Sequence, residues 1–241
     1  MLKTILRTVL GVLVLSLFVA PTAFAAEKAD LDSRVQEANT VLKEIMASPD
    51  QSIPEEMLAK CRAIAIYPNV LKGGFILGAR FGRGVVLTRD QKTGQWGPVA
   101  FSTIGGGSWG LQIGAQATDL ILVVMNERGM QGLLSNNVTL GADASIAAGP
   151  VGRNSEAATD LSMRAGILSY SRSRGLFGGL ALDGAVLTQD NASNGVYYGH
   201  PITSKEILLS HAVPVGASSK QLVSDLTEYS KRWKARVGKP A

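Results

Sequence analysis

The sequence is poor in the residues that most often carry chemistry. It holds one cysteine and two histidines, His200 and His211. A single cysteine excludes an internal disulfide, and neither H-E-x-x-H nor C-x-x-C occurs, so the pattern offers no metal site and implies no cofactor. Cys61 follows Leu58 by three on a predicted helix and reads as a small buried apolar residue. Aromatics make up only 6% of the chain. After residue 26 no apolar run is long enough to span a bilayer. The net charge of +5 is only mildly basic, too weak to argue for nucleic acid as a partner.

The first 26 residues do have a pattern. Lys3 and Arg7 form a positive start, Val9 to Ala20 is an apolar core, and Ala23-Phe24-Ala25 fits a cleavage site. These features predict an export signal, with the mature chain starting at Ala26. Residues 27–241 are then one domain, found in the periplasm or outside the cell. Loss of Lys3 and Arg7 lowers the 24 cations to about 22 against 19 acids, leaving a mature charge of about +3.

Glycine is abundant, at 27 of 241 residues, and most of it falls between 73 and 199. There apolar β-formers alternate with small and polar residues, in stretches such as 75–90, 98–104, 109–116, 120–126, 138–149, 164–173 and 176–190. Thr93-Gly94 and Asn194-Gly195 read as turns. Helical periodicity marks 31–47, and Ser52-x-x-Glu55 resembles a capping box ahead of a helix over 54–62. A short helix is expected over 127–135 after an Asn126 cap, and further helices near 203–210 and 218–237. Strand runs flanked by helices predict an α+β fold with a largely antiparallel, glycine-rich, barrel-like sheet. The segments 84-GVVLTRD-90 and 184-GAVLTQD-190 agree at five of seven positions, which is either a duplicated strand–turn unit or chance.

The segment 105-GGGSWG-110 fits two motifs at once: the G-x-S-x-G elbow of a nucleophilic serine and the G-x-G-x-x-G turn that cradles a pyrophosphate. Both need a helix directly after a strand. Here Trp109, Leu111, Ile113 and Ala115 alternate with Gly110, Gln112, Gly114 and Gln116, the period of a strand. A serine hydrolase using Ser108 is therefore a remote alternative, and no catalytic residue is assigned. The glycines are expected to serve close backbone approach or bulges.

Five stretches in order, 72-KGGFILGARFGRGVVLTR-89, 105-GGGSWGLQIGAQATDLILVVMN-126, 140-LGADASIAAGPVGR-153, 168-LSYSRSRGLFGGLALDGAVL-187 and 197-YYG-199, resemble the SYLF domain. This lipid-binding domain is known from yeast and animal actin-patch proteins that carry SH3 domains, and from exported single-domain bacterial proteins. The resemblance spans a core of about 60–213. It implies non-catalytic binding of membrane lipid, with phosphoinositides the ligands of eukaryotic members. For an exported chain it implies anionic phospholipid of an envelope membrane, and makes actin an unlikely partner. Lys72, Arg80, Arg83, Arg89, Arg172, Arg174 and Phe177 are the candidate lipid-binding residues, with cations for headgroup phosphates and an apolar tip for the interface. The same cations also suit solvated strand edges. The alternative function is a structural or partner-binding envelope protein.

The last helix carries a stripe of Leu222, Leu226, Tyr229, Trp233 and Val237, with cations crowding its end. Docking on the domain by that stripe is favoured over lying on a membrane, because amphipathic packing is the default for globular helices.

Overall fold

The computed structural model describes residues 25–47, 52–74, 77–109, 114–151, 165–173, 176–179 and 182–237. The expected leader falls almost wholly outside them.

Among the described residues nine strands form one sheet. They are β1 (Ala63–Gly74), β2 (Leu77–Thr88), β3 (Ala100–Trp109), β4 (Gly114–Val124), β5 (Asn137–Thr139), β6 (Ile146–Ala148), β7 (Ile167–Ser173), β8 (Leu176–Gly179) and β9 (Val186–Gln189). The order is β5-β9-β3-β2-β1-β4-β7-β6, with β8 paired to β7. Every pairing is antiparallel except β6 with β7. The helices are α1 (25–46), α2 (Glu55–Lys60), α3 (Glu127–Leu133), α4 (Asn191–Tyr198), α5 (Ser204–Ser210) and α6 (Lys220–Val237). The expected α+β class, with helices at both ends of a mainly antiparallel sheet, is what forms.

The sheet is buried on both faces, which is why its central strands read as apolar runs rather than clean alternations. Ile64, Ile66, Val85, Leu87, Phe101, Ile121 and Val123 point to one face, under the apolar stripes of α1, α2 and α6. Ala63, Ala65, Tyr67, Val86, Ile104, Leu120 and Leu122 point to the other, under α3 and α5. We call these the α1 face and the α5 face. Leu222 and Leu226 of α6 are fully buried on the α1 face. Ser230, one turn on, bonds the Leu58 carbonyl and accepts from Trp96 Nε1 at 3.2 Å. The last helix is thus docked by its stripe.

Several local expectations are corrected. Asn194-Gly195 lies inside α4, because Asp190 caps that helix by accepting from Ser193 N at 3.1 Å. Pro54, not Ser52, occupies the N-cap position of α2, and it makes no side-chain cap. The one complete capping box described is Thr203 with Glu206, at the start of α5. The two matching segments lie on opposite sides of β3, out of register: Val86 faces Ala100, whereas Val186 faces Gly105. What they share is local. Asp90 accepts from the amide and hydroxyl of Thr93, and Asp190 does the same for Ser193.

Asn194 ties the C-terminal half to the sheet. It is fully buried, accepts from Phe101 N at 2.8 Å and donates to Ser204 Oγ at 2.9 Å. Asn194→Ala strands the buried Phe101 amide, and is expected to cost about 2 kcal/mol, read by urea unfolding.

Candidate functional site

Four strands converge at one end of the sheet, rich in glycine: the ends of β1 and β3 and the starts of β2 and β4. Cross-strand pairing sets the side chains in rows, and successive rows alternate between faces. A bulge between Tyr67 and Val70 fixes the phase. Asn69 takes the left-handed conformation there, at φ 51°, and its amide bonds the Asp119 carboxylate at 3.0 Å. Val70 returns to the α5 face, so Lys72 follows it there and Leu71 turns to the α1 face.

On the α5 face Gln116, Lys72, Arg80 and Gly106 form one row across β4, β1, β2 and β3. Lys72 and Arg80 are direct cross-strand partners. Like charges placed directly opposite in a sheet repel each other. Arg80 is half-buried, and its Nε is shielded from solvent without a hydrogen-bond partner. That burial pushes its guanidinium pKa below the ordinary arginine value. Two cations and an amide in one row, one of them partly desolvated, form a cradle for an anion with several oxygens, such as a phosphate.

The other predicted residues are scattered. Arg83 lies on the α1 face, exposed, with its guanidinium 5.9 Å from the Phe81 ring centroid. Arg89 is buried at the opposite end of β2, about 30 Å from Arg80 at strand rise, across from Trp96. Arg172 is held in the fold by Glu44 of α1 and by Asp119 at 3.7 Å. Phe177 is paired with Arg172 across the β7–β8 hairpin, and Arg174 lies outside the described residues. Two candidate pairs are brought together, Lys72 with Arg80 and Arg172 with Phe177, and only the first sets two cations side by side. Gln116 was missed, because its place beside Lys72 depends on a register that the alternation of residues does not specify.

Ser108 is a residue within β3, opposite Gly78, and the strand runs on to Trp109. It does not stand at a strand-to-helix elbow. His211 is remote from it, 3.4 Å from Thr88 at the far end of β2. Cys61 is fully buried, and burial pushes its thiol pKa up to about 12, so it behaves as core. Among the described residues no group of His, Cys, Asp and Glu could hold a metal ion.

Residues 105–229, just over half of the chain, match the family Ysc84, described as Las17-binding protein actin regulator. The chain belongs to the Ysc84 family. The match begins in β3 and ends in α6, so it takes in β4 to β9 and leaves out β1 and β2. The SYLF resemblance is the same kinship. Among Ysc84 relatives, the SH3 domain-containing YSC84-like protein 1 of Rattus norvegicus is 31% identical over 210 residues, covering 85% of this chain and 61% of that protein. Its counterpart in Xenopus laevis is 32% identical over 211 residues, covering 85% and 62%. Protein YSC84 of Saccharomyces cerevisiae is 34% identical over 187 residues, covering 74% of this chain and 39% of the yeast protein. The chain spans about three fifths of the length of the animal relatives it matches.

Proposed function

We propose that this Ysc84-family chain binds anionic phospholipid at the surface of an envelope membrane, after export, without catalysing a reaction on it. The observation that carries the reading is the Lys72–Arg80 pair. A natural sheet avoids facing cations, and a half-buried arginine with an unsatisfied Nε has an energetic cost. A bound phosphate offsets both terms, by pairing with the two charges and supplying the missing acceptor. Gln116 extends the row and can donate to the same anion. The residues lie at the end of the sheet, where the strands turn, so a membrane can reach them without opening the core. Among the described residues no helix is long and apolar enough to cross a membrane, so the contact is proposed to be peripheral.

Las17 and actin belong to the family's description. For a chain expected outside the cytoplasm, a phosphate-bearing membrane surface fits the cation pair better than either.

The test is co-sedimentation of residues 26–241, which contain all but one of the described residues, with vesicles. Anionic vesicles are expected to pull the protein down at low salt and to release it as salt rises, because exposed charges are screened. Zwitterionic vesicles are expected to leave it in solution. Equal binding to both, or none to either, from a folded sample overturns the proposal.

A further inference from the structure

The opposite face of the same sheet end carries a different surface. On the α1 face Gly105, Phe81, Leu71 and Ala117 form one row, and Gly107, Ala79 and Gly73 lie in the next. Leu71 is 58% exposed and Phe81 50%, two of the few large apolar residues exposed in the described chain. The glycines beside them are not explained from within. A Cβ at Gly73 or Gly107 would meet nothing within 4 Å, and none of Gly73, Gly105 and Gly107 has a positive φ. Glycine in a strand interior weakens it, and with no internal demand it marks a place where another surface comes close to the backbone. α1 borders the patch, leaving a groove of about 240 Å³ whose lining includes Asp30, Arg34, Glu37, Leu71, Phe81 and Arg83.

We infer that this face is a self-association surface that takes a second copy of the chain. The patch is complementary to itself. It has apolar knobs, Phe81 and Leu71, beside a flat floor of glycine and alanine, as a two-fold interface requires. Its rim also has both signs of charge. Arg34 is committed to Asp30 at 2.8 Å, while Arg83 and Glu37 are both exposed. A two-fold axis along the strands sets Arg83 of each copy against the carboxylates of the other. The balanced rim, two cations and two carboxylates, gives an anionic membrane no net attraction, so this face is separate from the Lys72–Arg80 row. Four strands at their usual spacing and about five residues of rise give roughly 300 Å² per copy, well under the ~800 Å² of a standard interface. The dimer is therefore weak and concentration-dependent.

Sedimentation velocity of the purified protein, from about 1 μM to about 100 μM, tests this across the range where a small interface responds. A monomer–dimer equilibrium is expected in the wild type. Phe81→Asp and Gly73→Val are expected to give monomer throughout, with unchanged circular dichroism, since both positions are open to solvent. Arg83→Glu is expected to weaken association at least tenfold, and Arg83→Glu with Glu37→Arg to restore it. A wild type that is monomeric at every concentration overturns the inference. So does a dimer that survives both Phe81→Asp and Gly73→Val. So does a monomer whose binding to anionic vesicles is lost in Phe81→Asp, which assigns this face to the membrane. The sedimentation results do not depend on the lipid reading, whose test residues are on the other face; only the vesicle result does.

Discussion

Gly84→Ala is expected to destabilise the protein by about 3 kcal/mol, the upper end for overpacking a core. Gly84 sits in the middle of β2, opposite Ser102 of β3. A Cβ there would drive into the carbonyl oxygen of Ile66 and stand 2.5 Å from Tyr67 Cδ1. Neither can retreat. The Ile66 carbonyl belongs to the central strand, and the Tyr67 ring is fully buried with its hydroxyl 2.8 Å from Ser102 Oγ. Thermal unfolding reads this as a fall in Tm of about 9 °C for a domain of this size. Gly107→Ala is the control: it adds a methyl where nothing lies within 4 Å, and is expected to be neutral or slightly stabilising. Equal effects at the two positions would show that the close approach of β2 to Tyr67 is not what Gly84 is for.

The double reversal Lys72→Glu with Arg80→Glu is expected to abolish binding to anionic vesicles. Each charge near such a surface contributes about 1 kcal/mol, and the reversal changes the local charge by four. Partitioning should fall about a thousandfold at low salt, and the residual should no longer weaken as salt rises. The fold is expected to tolerate the change, since Lys72 and Arg80 already oppose each other and two facing carboxylates replace one repulsion by another. The single reversal Lys72→Glu places a carboxylate opposite Arg80 and is expected to weaken vesicle binding. A single reversal that left vesicle binding intact would remove Lys72 from the site.

Much of the fold was legible because its signals are local. The periodicity of Leu31, Val35, Ala38 and Leu42 gave α1, and Asn126 ahead of Glu127 gave α3, where its side chain accepts from Gly129 N. The strand-like alternation after Trp109 argued against an elbow at Ser108, and Ser108 lies within β3 opposite Gly78. What was not legible depends on register. Asn194-Gly195 reads as a turn until Asp190, Phe101 and Ser204 bind the surrounding residues into a helix. Six of the seven predicted lipid-binding residues follow one rule in the sequence, cations near glycine. The described ones separate in space because they fall on different strands and on alternate faces, and the bulge at Asn69 decides which face Lys72 takes. A shift of one residue would have put Lys72 beside the acids of α1 and Leu71 beside Arg80. Phe81 and Leu71 are apolar like the core strands, yet beside α1 they stay half-exposed along a groove.

Hydrogen–deuterium exchange of the protein with and without anionic vesicles tests the central claim most directly. If the glycine-rich end of the sheet meets the membrane, vesicles should slow exchange over residues 70–74, 79–82 and 103–107 and leave α6 unchanged. Slowing confined to α6, or none at the sheet end under conditions where the protein is vesicle-bound, would contradict it and return the membrane contact to the basic C-terminal helix.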